Sequence, residues 1–259
     1  MPPALRRAQI LELIQRSGGV SVGELARTHD VSPITVHRDL EQLAAEGLVE
    51  RVHGGARALR RADNGAPIAT AWSQRVEQAG TAKAAIAARA AELVDHGSTI
   101  FLDASSSALA LARRLMERPP NEVTLVTNSP AIIYEGVAEP IHLICCPGEL
   151  DQHMRMLAGR WTVEFLEDLN FDLAFVSAAG VTVEAGLTTA RRPLADVINA
   201  ARGNAKRCIG LIDASKFGRA SMLSIAPAKE LDLILTDAGM AGAEQEYRAA
   251  GVRLEIVKT

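Results

Sequence analysis

From Thr81 onward the chain alternates short apolar runs with helical segments, and that alternation constrains its fold more than any other feature. The runs STIFL, EVTLV, IHLIC, DLAFV, RCIGLI, DLILT and RLEIV are too short for helices and have the apolar content of strands covered on two sides. Helical patterns at 81–94, 107–116, 130–137, 159–169, 193–204 and 243–250 separate most of them. A helix between two strands carries the chain back across the sheet, so such strands pair in parallel. The expectation is an α/β fold with a mostly parallel sheet covered on both faces. Ligands of such sheets bind in loops at the strands' carboxyl ends.

The start of the chain is organised differently. Residues 4–15 place Ile10, Leu11, Leu13 and Ile14 in a helical pattern that SGG ends. Ser21 caps a short helix through Arg27, with Glu24 at the capping-box spacing. Ser32 followed by Pro33 then opens a third helix, proline at its first position, ending near Gly47. LVERV at 48–52, the turn HGG at 53–55 and the return ARALR form a hairpin. This order describes an N-terminal winged helix-turn-helix at 1–61. Residues 62–80, rich in Ala, Gly and polar groups, form a linker that passes into a helix, and the α/β domain occupies 81–259.

In the helix from Ser32, Val36, Leu40, Leu43 and Ala44 share one face. Ile34, Thr35, His37, Arg38 and Gln42 are left outward or flanking. A recognition helix needs this arrangement, because its first turns enter the major groove, where Arg reads guanine and Ile or Thr meets a thymine methyl. The expected DNA-contacting set is Ser32, Pro33, Ile34, Thr35, His37, Arg38 and Gln42, with His53 and Gly54 from the hairpin turn. Arg38 is the principal contact, to a base or to phosphate. The ordinary alternative for a lone Arg-Asp dipeptide is that Arg38 and Asp39 make solvated ion pairs on a surface helix.

Charge distribution agrees with this division. The net charge is −3, but residues 1–61 hold 9 Arg against 7 acidic residues, a net of +2, leaving −5 for the rest. Arg57, Arg60 and Arg61 cluster at the end of the first segment. The absence of any run of roughly 18 apolar residues, and an N-terminus lacking a small-residue cleavage site, predict a cytoplasmic protein without membrane contact. Three cysteines do not make a disulfide framework or a zinc site. Cys145 and Cys146 read as reduced residues at a buried strand terminus, and neither metal nor cofactor is expected.

The loops after the strands carry candidate binding groups. Ser105, Ser106 and Ser107 lie between a strand and a helix, where hydroxyls and free N–H groups converge on an anion, helped by the helix dipole. A serine-rich N-cap with nothing bound fits the same residues. Lys216 offers a point charge, and Asp103 and Asp213 offer acceptors for sugar hydroxyls; each also reads as a turn cap or a solvated group. Thr127 and Asn128 follow a buried strand and are expected to be reachable from the same pocket.

The stretch VSPITVHRDLEQLAAEGLVERVHGGA resembles the N-terminal module of the DeoR family of bacterial regulators, which carries V-S-x-x-T-I-R-R-D-L and later H-G-G-A. The likeness covers residues 6–56, with His37 in place of the first family arginine. Residues 75–257 resemble the same family's sensor domain, a relative of ribose 5-phosphate isomerase in fold. That likeness rests on Lys83 in KAAIAARA, DASSS at 103–107, TNS at 127–129, CPGEL at 146–150, FDLAFVSAAGV at 171–181, DASKFG at 213–218 and LTD at 235–237. The resemblance implies a transcription regulator, usually a repressor. Its partners would be a double-stranded DNA operator and a small phosphorylated metabolite of the sugar-phosphate class, bound without turnover. It also favours a binding role for Lys216 and adds Gly148 to the effector site.

One recognition helix spans too few base pairs for useful specificity, so a homo-oligomer, dimer or larger, is expected. Two departures from the family pattern stand out. Ser105 replaces a loop glycine and Pro147 the first glycine of a pair, and neither tolerates positive φ as glycine does. They predict an effector that differs from the usual sugar phosphate or binds more weakly. The competing reading is a sugar-phosphate isomerase-like enzyme with an accessory winged helix. Asp172 is the acid it would use, but FDLAFVSAAG lacks the further carboxylates that proton shuttling needs. A third reading, a protein-binding adaptor, predicts no salt-dependent DNA affinity.

Overall fold

The computed structural model describes residues 3–17, 19–45, 48–52, 54–58, 72–120, 122–136, 139–152 and 154–258. The chain divides into two units, Met1–Asn64 and Gly65–Thr259. Residues 62–71 of the expected linker, and His53 of the expected DNA-contacting set, lie outside the described residues.

In the first unit, α1 (Pro3–Ser17) leads through a short strand β1 (Gly19–Ser21) into α2 (Val22–His29) and α3 (Pro33–Ala45). The hairpin of β2 (Val49–Val52) and β3 (Gly55–Ala58) follows, and β3 pairs antiparallel with both β1 and β2. Ser21 caps α2 by accepting from Glu24 N–H at 3.2 Å, as its spacing predicts. Asp30 ends that helix at φ 50°, in the left-handed region asparagine and aspartate tolerate best. Ile10, Ile14, Leu25, Val36, Leu40 and Leu43 close a small core beneath. Strand β1 was not expected; three residues give no alternation to read.

The second unit begins with α4 (Trp72–Glu77) and α5 (Gly80–Ala91), then β4 (Thr99–Leu102), α6 (Ser106–Glu117), β5 (Thr124–Thr127), α7 (Pro130–Glu135) and β6 (His142–Cys145). A hairpin of β7 (Glu149–Asp151) and β8 (Met156–Ala158) precedes α8 (Arg160–Glu167) and β9 (Phe171–Val176). Next come β10 (Gly180–Thr182), β11 (Gly186–Thr189), α9 (Arg192–Gly203), β12 (Ala205–Leu211), β13 (Leu223–Ala226), β14 (Leu233–Asp237), α10 (Glu244–Ala249) and β15 (Leu254–Val257). Every apolar run singled out in the sequence is a strand of one seven-stranded sheet, ordered β15-β14-β12-β9-β4-β5-β6 and parallel throughout.

Alternation along β4 explains the double cover. Ile100 and Leu102 enter a core with Ile86 of α5 and Leu109 of α6, while Phe101 enters the opposite one with Val197 and Ile198 of α9. The sheet's order reverses between β4 and β9: later strands run outward from β4 on one side and from β9 on the other. In parallel sheets such a switch point opens a crevice at the carboxyl ends.

One cysteine expectation needs correction. Cys146 is buried and its thiol is pushed up to about 12 by burial, but Cys145 is exposed because β6 is the edge strand. Among the described residues, no helix is long and apolar enough to cross a membrane.

Candidate functional site

In the first unit the outward face of α3 is assembled by its cap. Ser32 Oγ accepts from Thr35 N–H at 3.3 Å and shares a 2.9 Å hydrogen bond with Thr35 Oγ1, so both hydroxyls are committed to the helix start. Pro33 sits at the first helical position. Val36, Leu40 and Leu43 point into the core, while Ile34 is 67% exposed and His37, Arg38 and Gln42 are exposed beside it. An isoleucine left in water at the start of a helix, next to an arginine and a histidine, suits a mixed apolar and hydrogen-bonding surface such as a groove floor.

Arg38 and Asp39 part company. Asp39 is buried and receives Arg6 Nε of α1 at 2.6 Å, whereas Arg38 has no ion-pair partner among the described residues. Arg38 and Asp39 therefore do not pair with each other, and Asp39 is not a solvated surface group. Arg51 of β2 donates to His37 Nδ1 at 2.9 Å and to His37 O at 3.2 Å, tying the hairpin to α3. Gly54 takes φ 81° at the hairpin turn, and its carbonyl accepts from Val22 N–H at 2.8 Å.

In the second unit a cavity of about 140 Å³ opens where β4 and β9 end. That is roughly ten times the ~10–15 Å³ needed to admit a single water, enough space for a small metabolite. Asp103 braces the switch point, accepting from Ser105 N–H at 3.0 Å and from Ser177 N–H at 2.7 Å. Burial pushes its carboxyl up from the ordinary range, partly offset by these donors. Asp213 caps a short turn, accepting from Ser215 N–H at 3.1 Å and from the Ser215 hydroxyl.

Three helices begin at this cavity. Ser105 caps α6 by accepting from Ala108 N–H at 3.0 Å, which leaves the first N–H groups of the helix, at Ser106 and Ser107, without intrahelical partners. Residues Gln78 and Ala79 precede α5 and line the wall, as do Ala190 and Arg191 before α9; neither helix has a side-chain cap. Free N–H groups and positive dipole ends favour an anion.

Five cations line the cavity: Arg75, Lys83, Arg191, Lys216 and Arg219. Lys83, buried, donates to the carbonyls of Arg75 and Gln78. Burial lowers its ammonium from the ordinary lysine value; Asp213 opposes this, and the charges of Lys216 and Arg75 add to it. Arg75 packs its guanidinium 5.2 Å from the Trp72 ring centroid, and burial lowers it too. Its Nε and the hydroxyl of Ser221, both at the wall, are buried without hydrogen-bond partners.

Of the expected effector residues, the cavity gathers Asp103, Ser105, Ser106, Ser107, Asp213 and Lys216. Three others it does not. Thr127 is fully buried, donating to Leu102 O at 2.7 Å and accepting from Ser129 N–H at 3.0 Å. Asn128 is fully buried as well, held to Leu157 of β8 through Nδ2 and its own carbonyl. Gly148, at φ 146°, is packed so closely that a Cβ would lie 2.1 Å from Thr162 Oγ1. All three stay away from the cavity wall, because the hairpin of β7 and β8 covers that side.

The two departures do not disturb the cavity either. Ser105 has φ −88°, a conformation any residue adopts, and Pro147 accepts from the Thr162 hydroxyl outside the wall. The structure thus gives no ground for the expected change of effector. Sequence reading missed Arg75, Arg191 and Arg219. The readable signal was position: a cation immediately before a proline-opened helix in ARRP, and one after the DASKFG turn.

The family model of the DeoR-like helix-turn-helix domain matches residues 6–62, and that of the DeoR C terminal sensor domain matches residues 78–238. The HTH-type transcriptional regulator GlpR of Haloferax volcanii is 34% identical over 255 residues, covering 97% of each chain. GolR of Listeria innocua, another HTH-type transcriptional regulator, is 32% identical over 260 residues and 100% of both chains. The glycerol-3-phosphate regulon repressor of Escherichia coli is 29% identical over 239 residues, 92% of each. Among solved structures, ribose 5-phosphate isomerase A of Methanocaldococcus jannaschii overlaps 52% of this chain and 53% of its own, with a TM-score of 0.38 and 21% identity. The chain belongs to the DeoR family of DNA-binding transcriptional regulators.

Proposed function

We propose that this regulator is a repressor whose hold on a double-stranded DNA operator is set by a small phosphorylated metabolite of the sugar-phosphate class. The effector binds without turnover in the cavity of the second unit. The observation that carries the reading is that cavity's charge: five cations without an ion-pair partner among the described residues, beside three helix starts at the switch point of a parallel sheet. The name of the E. coli relative ties that protein to a glycerol-3-phosphate regulon, which supports a phosphorylated small effector here.

Ile34, Thr35, His37, Arg38 and Gln42 meet the major groove, with Ser32 and Pro33 setting the helix start and Gly54 shaping the wing. Ser105, Ser106, Ser107 and Lys216 hold the phosphate, and Asp103 and Asp213 brace the loops around it. A dimer or larger homo-oligomer supplies a second recognition helix, and residues 62–80 join the sensor to the DNA-binding unit.

The position of Asp172 speaks against the isomerase alternative. Asp172 lies at the amino end of β9, accepting from Thr99 N–H at 2.8 Å and Lys206 Nζ at 2.7 Å, on the edge opposite the cavity. Calorimetry of the wild type and Lys216→Ala with a panel of phosphorylated sugars tests the effector reading. A sugar phosphate that binds the wild type at least tenfold more tightly than the variant is expected. Equal binding places Lys216 outside the site, and no binding by any member rejects a sugar-phosphate effector.

A further inference from the structure

Several cations on the surface of the second unit are paired. Arg89 meets Glu255 at 2.5 Å, Arg113 meets Glu135 and Lys206 meets Asp172, and Arg192, which immediately follows the cavity's Arg191, pairs with Asp196 at 2.8 Å. The five at the cavity have no carboxylate within ion-pair distance among the described residues. Its two carboxylates are committed to bracing the backbone, Asp103 to Ser105 and Ser177 and Asp213 to Ser215.

Five cations against two carboxylates leave an excess of three positive charges. A phosphate monoester brings about −1.5 to −2. One phosphate on a neutral sugar therefore leaves the wall undercompensated by about one charge.

Four of the five cations fall into two pairs by what they stand beside, and the fifth, Arg75, is on α4. Lys83 of α5 feels the charge of Lys216, which stands in the turn that Asp213 caps, and both share the cavity wall with the Ser105–Ser107 helix start. Arg191 and Arg219 flank the small sheet of β10, β11 and β13: Arg191 follows β11 and starts α9, and Arg219 packs its carbonyl on Gly180 of β10. Beside this second pair, the Ser221 hydroxyl is buried without a partner.

We infer that the effector carries two anionic groups at separate ends, a sugar phosphate bearing a second phosphate or a carboxylate. The phosphate sits on the Ser105–Ser107 helix start with Lys83 and Lys216, and the second anionic group sits on Arg191 and Arg219. This rests on the effector reading above and narrows its ligand class. Arginine suits the second position because its planar fork binds carboxylate and phosphate oxygens in pairs.

The test is calorimetry of the full chain at one fixed salt concentration with matched pairs of probes: fructose 6-phosphate against fructose 1,6-bisphosphate, and glucose 6-phosphate against 6-phosphogluconate. The doubly anionic member of at least one pair is expected to bind about tenfold or more tightly than its partner, the contribution of a charge-assisted hydrogen bond. Arg219→Gln, at an exposed position, is expected to remove most of that preference while costing the singly anionic probe much less. Arg191→Gln is expected to act in the same direction. Equal binding within each pair, or a preference that survives both substitutions, overturns this inference and leaves the effector reading standing. No binding by any of the four probes overturns both.

Discussion

Arg38 and Asp39 are adjacent in sequence and opposite in environment, one exposed and the other buried against Arg6 at 2.6 Å. Arg38→Ala is expected to weaken specific operator binding by roughly 1–3 kcal/mol if the guanidinium reads a base, with discrimination lost at one position. A loss spread over all sequences with a shallower salt slope assigns it to phosphate, and no loss rejects this face of α3. Arg51 acts through its neighbour: a guanidinium has only donors, so its 2.9 Å contact makes His37 Nδ1 an acceptor and leaves the proton on Nε2. Nitrogen NMR shifts of His37 are expected to report the Nε2–H form in the wild type and a mixture of tautomers in Arg51→Ala; identical spectra contradict the clasp. Asp172 gives a pH signature. Lys206 and the Thr99 N–H hold its carboxyl below the ordinary range, so its contribution to stability is present above the unfolded value of about 3.9 and is lost as pH falls through the folded one. Asp172→Asn should flatten the acid limb of a denaturation series, and an unchanged limb would show the pair to be inert.

At the level of elements, the hairpin docks on β1 by backbone proximity. A Cβ on Gly55 would lie 2.4 Å from Val20 O, against main chain that has no side-chain freedom to yield. Gly55→Ala is expected to destabilise the first unit by about 1–3 kcal/mol in chemical unfolding, and a neutral result would mean β1 is not paired in solution. Helices with caps and strands with apolar runs were legible because both signals are local: Ser21 with Glu24, Ser32 with Pro33, and the seven runs that became the parallel sheet. The strands β10, β11 and β13 escaped notice because segments such as GVT and LSIA are too short to show a period. Thr127 and Asn128 were misplaced for a different reason. Their position after a strand points toward the carboxyl edge, and only the long-range contact of Asn128 with Leu157 of β8 shows that a hairpin seals them off. The cavity's arginines were hidden the same way, since Arg75, Arg191 and Arg219 lie far apart in sequence and meet only through the sheet order.

For the molecule as a whole, the reversal between β4 and β9 turns a generic α/β fold into a sensor, because it brings three helix starts and five cations around one crevice. A ligand there changes DNA binding only if it favours one arrangement of the protein over another; equal affinity for both shifts nothing. Coupling between cavity and operator is tested by one titration: labelled DNA from upstream of the protein's own gene, at constant salt, with and without the sugar phosphate that calorimetry shows to bind. A shift in operator affinity of about fivefold or more is expected with the wild type and none with Lys216→Ala, in line with typical coupling strengths. An operator affinity that stays the same while the cavity is saturated would contradict it.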